Sequence, residues 1–264
     1  MGRAAFGDRR LLAMVLVMAG GTARAEEAEK WRAPLGGTFN ANFSVMSEYS
    51  YAGISNTGRQ PAVQMGLDYR SPDLLSDPRL WLYLTTIGNN VVTPAGPGTE
   101  IDVTGGVKFR PTKQSRVDLG YIRSSFPGFD ANLGYNYGDF TAALDYDFGP
   151  VALNAKLRFS PDGFASSGWN WNKRVLVSAP LDFLQLTDKA KFRAYGSVGH
   201  YAIERYLQFG LPNPEYWYWQ FGFVTSALGL DVTVAYTGTN LNAASCGDTS
   251  YCDGRLLVSL TKAF

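Results

Sequence analysis

The chain has 264 residues, 45% of them hydrophobic and 18% charged, with 24 Lys and Arg against 23 Asp and Glu. A formal charge of +1 at pH 7 argues against a nucleic-acid partner, which calls for a basic surface. One histidine and two cysteines provide no zinc spacing, no phosphate-binding glycine loop appears, and the composition implies neither a metal nor a cofactor.

Residues 1–25 read as a secretory signal: Arg3, Arg9 and Arg10 open it, Leu11 to Gly21 form an apolar-rich core, and Ala23-Arg24-Ala25 is a cleavage site. Only 13 residues, 11 to 23, lie between charges, whereas a membrane-spanning helix needs about 20. Cutting after Ala25 leaves 239 residues with 20 basic and 22 acidic side chains. Residues 26–37 are then expected to be a periplasmic segment and 38–264 a barrel domain.

From residue 38 onward apolar residues recur with period two, and no stretch of the mature chain sustains helical periodicity. The pattern predicts twelve strands, at 38–51, 61–69, 79–88, 100–109, 115–123, 138–148, 151–160, 170–179, 190–200, 216–226, 230–238 and 254–264. Proline cannot donate to a sheet ladder, and all 13 prolines fall in the connections or at strand ends of this scheme. Leu133, Tyr135 and Tyr137 also alternate and offer a thirteenth strand. An even count with short and long connections in turn favours reading 131–137 as loop or as an extension of the sixth strand.

Alternation alone does not say which face is wet. Twelve strands would leave a lumen too wide for a tidy apolar core. Tyr69, Phe109, Phe148, Phe159, Trp171, Trp217, Trp219, Tyr236 and Phe264 lie on apolar faces near strand ends, where membrane interfaces place aromatic girdles. Asp102, Lys108, Arg116, Asp118, Asp145, Lys156, Arg158, Arg174 and Arg193 share the opposite parity and are the candidate pore-lining residues. The expected fold class is therefore an all-β transmembrane antiparallel up-and-down barrel in the bacterial outer membrane, in contact with lipid and lipopolysaccharide.

The turn Gly149-Pro150 would pair Phe148 with Val151 and set Asp145 opposite Asn154 and diagonal to Lys156. Acids Asp139, Asp145 and Asp147 then face the bases Lys156, Arg158, Arg174 and Arg193. Two readings follow: a constriction that orients charged solutes, or ion pairs that stiffen a closed wall. Gly196-Ser197-Val198-Gly199-His200 resembles a hydrolase motif but has Tyr195 where a nucleophile elbow needs glycine, and Ser197 and His200 have opposite parity. Tyr216 and Tyr218 should face the lumen, and Trp217 and Trp219 lipid. Cys246 and Cys252 are expected to form a disulfide that contributes roughly 2 kcal/mol by chain entropy. Asp248, Thr249 and Asp253 are too few oxygen ligands for a calcium loop. On the last strand Leu256, Val258, Leu260 and Phe264 share one face and Arg255, Ser259 and Thr261 the other.

The segments 47–56, with Tyr49-Ser50-Tyr51-Ala52-Gly53-Ile54, and 61–69 resemble the opening of the TorF-type porins, a Gcw_chp-like family of outer-membrane β-barrels. Ser160-Pro161-Asp162 with Gly168 and Trp169, and the close cysteines followed by Asp253-Gly254-Arg255 and a terminal Phe264, extend the likeness over the mature chain. Ser50 and Ala52 stand where that family often carries arginines. The resemblance implies a barrel whose terminal Phe264 is read by the insertion machinery; it implies no particular substrate.

With strands about 4.8 Å apart and tilted about 40°, twelve of them give a backbone diameter of about 24 Å and, unless plugged, a lumen of roughly 10 Å. The expected function is a porin-like channel for passive diffusion of small hydrophilic solutes. The alternatives are a closed structural or adhesive barrel and, less favoured, an outer-membrane hydrolase.

Overall fold

The computed structural model describes residues 36–184 and 190–264. The expected signal and nearly all of the 26–37 segment lie outside the described residues. The strands are β1 (Thr38–Met46), β2 (Ser50–Tyr51), β3 (Ile54–Ser55), β4 (Ala62–Asp73), β5 (Leu80–Thr93), β6 (Gly96–Phe109), β7 (Ser115–Ser125), β8 (Tyr137–Asp147), β9 (Ala152–Ser160), β10 (Asn170–Pro180), β11 (Lys191–Ile203), β12 (Glu215–Ala227), β13 (Leu230–Thr239) and β14 (Arg255–Ala263). Twelve of them close into one antiparallel barrel, because β1 pairs with β4 on one side and β14 on the other. The short β2 and β3 pair only with each other.

Burial is inverted relative to a soluble barrel. Leu67, Leu84, Val103, Leu119, Leu144 and Val234 are exposed on the outer wall, whereas Ser44, Gln64, Asn89, Asp118, Thr141 and Asn154 are buried inside. Exposing that apolar surface to water would be costly, while hydrocarbon accepts it. Closure also pairs every strand edge, which a lipid environment requires. Aromatic pairs stand near both ends of the outer wall: Phe159–Trp171 at 4.5 Å toward one rim, Phe39–Tyr69 at 5.0 Å and Tyr146–Phe148 at 4.5 Å toward the other. The protein is an outer-membrane β-barrel. Short turns then mark the periplasmic end, and the longer connections the extracellular end.

Three features depart from the alternation pattern. The first strand stops at Met46, and the tail of its alternating run folds back as the β2–β3 hairpin. The connection expected at 89–99 shrinks to Pro94-Ala95, because β5 and β6 are each 14 residues long and pair along their whole length. Pro72 and Pro97 also sit inside strands, Pro72 in β4 at a register shift between Arg70 and Asp73 and Pro97 second in β6, both places where a missing donor is tolerated. Ala131–Leu133 is a single 3-10 turn before β8, so no thirteenth barrel strand forms among the described residues. Cys246 and Cys252 form the disulfide, with their Cα atoms 6.2 Å apart, in the loop between β13 and β14.

Candidate functional site

All nine charged residues with inward parity occupy the barrel interior, and the register divides them into groups. Toward the periplasmic end Lys108 lies 3.5 Å from Asp118, which also accepts from the Tyr83 hydroxyl at 2.7 Å. Arg116 donates to Asp145 at 2.7 Å, and Asn154 Nδ2 donates to the other oxygen of Asp145 at 2.8 Å. The Asp145–Asn154 juxtaposition is the one expected from the Gly149-Pro150 turn, where Phe148 N–H bonds Val151 O at 2.9 Å. Arg193 is remote from this seam, and the acid whose charge acts on it is Asp231. Toward the extracellular end Arg158 Nε donates to Asp139 at 2.8 Å, and Asp102 stands opposite Ser124.

Between these groups one row of the ladder carries Asp118, Ala143, Lys156, Arg174 and Gly199 in direct succession. Lys156 and Arg174 are thus cross-strand partners with like charge. Glycine at 199 is required because Tyr218 lies across it, where an added Cβ would collide with the ring. The Tyr218 hydroxyl then donates to Asn172 Oδ1 at 2.6 Å.

The β2–β3 hairpin sits within this interior. Tyr51-Ala52-Gly53-Ile54 makes its turn with φ of +48° at Ala52 and +82° at Gly53, as a tight two-residue hairpin loop demands. Ala52 is buried against Tyr216 and Tyr218. Tyr51 accepts from Asn172 Nδ2 at 3.1 Å, and its ring lies 5.1 Å from the Arg158 guanidinium. The hairpin is tied to the opposite end of the chain by Arg255, the first residue of β14. Its Nε donates to Glu48 at 2.6 Å, Nη1 to Gly53 O at 3.1 Å and Nη2 to Ser50 Oγ at 3.2 Å. The side chains of Arg255 and Glu48 are 2% and 6% exposed, so this is a desolvated ion pair.

The β2–β3 hairpin and inward side chains narrow the roughly 10 Å lumen expected from strand number. A chamber of about 90 Å³ lies under the hairpin and another of about 70 Å³ near the periplasmic mouth. Leu176, Tyr195, Val224 and Ala235 form an apolar cluster on the inner wall between β10 and β13. At the extracellular mouth Tyr49, Phe126 and Tyr135 pack with Phe164, the last two rings stacked at 4.5 Å.

Sequence reasoning missed Glu48, Tyr51, Tyr83, Asn172 and the partners of Arg255. Arg255 had the inward parity that signals an interior role, but nothing local identified its acid. Ser197 points inward, with Oγ 3.4 Å from Gln220 O, whereas His200 faces outward against Trp217 and 3.1 Å from Glu215. These two do not form a nucleophile–base pair. Tyr216 and Tyr218 are buried inside and Trp217 is exposed outside, as their parity requires.

A family model described as "Bacterial protein of unknown function (Gcw_chp)" matches residues 31–264. No curated protein matches the sequence significantly. Among solved structures, a chain from work on in-meso crystallization of membrane proteins is 8% identical with a TM-score of 0.52, over 86% of this chain and 83% of that one. That similarity is one of fold. An outer-membrane channel of Pseudomonas putida F1 is 11% identical (TM-score 0.49; 90% and 99% covered), and outer-membrane phospholipase A from Escherichia coli is 10% identical (TM-score 0.48; 87% and 93% covered).

Proposed function

The chain belongs to the Gcw_chp family, and from that premise we propose that it is a narrow, porin-like outer-membrane channel through which small hydrophilic solutes diffuse passively. The observation that carries this reading is the placement of the β2–β3 hairpin inside a charged lumen, where it acts as the constriction. A TorF-type porin character belongs to the same proposal. So does a non-enzymatic role, which the opposite facing of Ser197 and His200 supports. The test is swelling of liposomes that contain the refolded barrel. Swelling is expected with solutes the size of glycine and should fall off steeply for disaccharides. Silence with every solute contradicts diffusion.

A closed structural barrel is the second reading. The aromatic packing of Phe126, Tyr135 and Phe164 over the mouth favours it.

The same proposal extends to partners. Trp171, Lys173 and Trp217 on the outer rim would meet the lipopolysaccharide leaflet, with Lys173 near its phosphates. Phe264 is exposed at the periplasmic end of β14, its N–H bonded to Ala41 O at 2.8 Å, and would present its ring to the insertion machinery. Deleting Phe264 should lower the amount inserted in cells while the purified barrel still refolds. Unchanged insertion in cells would remove the assembly role.

A further inference from the structure

We propose that the chamber beneath the β2–β3 hairpin is a seat for a small monocarboxylate, held by the Lys156 ammonium with Arg174 beside it. The proposal deepens the channel reading by assigning a solute class, and its binding test does not depend on conduction.

The charge balance of the chamber is the starting point. Lys156, Arg158 and Arg174 line it, together with one acid, Asp102. The other nearby acids are engaged: Asp139 takes Arg158, Asp145 takes Arg116 and Asn154, and Asp118 takes Lys108 and Tyr83. Lys156 has no hydrogen bond or ion pair with any described residue. Its cross-strand neighbour is Arg174, and like charges directly opposite one another destabilise a sheet unless something stands between them. Asp118, Asp139 and Asp102 act on Lys156 only from beyond ion-pair distance, and an anion at this position would supply a countercharge in direct contact.

Space and selectivity also point to a small, singly charged anion. Ala143 flanks Lys156 in its row and leaves room on that side, whereas the Tyr218 ring lies over Gly199 on the Arg174 side and forms one wall of the chamber. A chamber of about 90 Å³ corresponds to about three waters at roughly 30 Å³ each, the scale of a small carboxylate such as propionate. Asp102 on the same wall repels a dianion such as phosphate more than a monoanion. The hairpin roofs the site, since Ser50, Tyr51 and Gly53 also line it.

The experiment is calorimetric titration of the refolded full-length mature barrel in detergent, with propionate, its neutral isostere propionamide, and phosphate as probes. Propionate should bind saturably and propionamide should not. Lys156→Gln should weaken propionate binding at least tenfold, Lys156→Arg should restore most of it, and Arg193→Gln, remote from the chamber, should leave it unchanged. Circular dichroism establishes that each variant is folded; if Lys156→Gln does not refold, competition by chloride against propionate in the parent protein replaces it, with weakening expected as chloride rises. Absence of propionate binding, equal binding of propionamide, tighter binding of phosphate, or indifference to Lys156→Gln or to chloride overturns the proposal. Binding without any solute diffusion would sink the channel reading and leave this one standing; diffusion without binding does the reverse.

Discussion

Arg255→Ala is expected to destabilise the refolded barrel by about 3 to 5 kcal/mol, the cost of stranding one partner of a buried ion pair. Arg255 and Glu48 are nearly fully buried, and the same guanidinium also holds Gly53 O and Ser50 Oγ. Removing it leaves the Glu48 carboxylate desolvated with no cation and releases the hairpin from β14. Urea titration in lipid vesicles reads the stability, and limited proteolysis between residues 47 and 61 reads the release. A stability loss below about 1 kcal/mol, with the segment still protected, would mean that the hairpin is held elsewhere.

Leu144→Arg should cost about 2 to 4 kcal/mol, because it places a cation against hydrocarbon near mid-strand. Its neighbour Ala143 points inward and is 9% exposed. Arginine is the wrong probe there, since Ala143 stands directly between Asp118 and Lys156 in a narrow row. Ala143→Ser is the matched inner-wall change, and it should shift stability by no more than about 0.5 kcal/mol. Refolding titrations of both variants check the assignment of faces. Equal sensitivity at the two positions would reverse it.

Much of the wall was legible because period-two parity is local. Each strand from Thr38 to Ala263 appears near its expected place, and Leu144 against Asp145 already distinguishes lipid from lumen. Asp145 and Asn154 could be placed opposite each other because a two-residue turn fixes register over the next few residues. The hairpin was not legible. Tyr49 and Tyr51 continue the alternation of β1, so the pattern runs on past Met46 although the chain has already left the sheet. What folds that segment inward is Arg255, 207 residues away from Glu48, and such pairing depends on how the barrel closes. The same holds for the charges. Parity found nine inward groups, but the stagger between strands decides that Arg158 meets Asp139 while Arg193 has only the more distant charge of Asp231 acting on it. Residues 47–56 and 253–255 are far apart in sequence, and the Glu48–Arg255 ion pair joins them. Ser50 and Ala52 have structural roles here: Ser50 accepts from Arg255, and Ala52 packs beneath Tyr216 and Tyr218.

On this reading the hairpin constricts a lumen which otherwise conducts. Paired single-channel recordings in planar bilayers test it most directly, comparing the parent barrel with a chain in which residues 49–56 are replaced by a short Gly-Ser linker. The account predicts small, uniform steps for the parent and steps several-fold larger for the shortened chain, both from barrels of normal heat-modifiable mobility. Well-folded barrels that give no steps with or without the hairpin would contradict it.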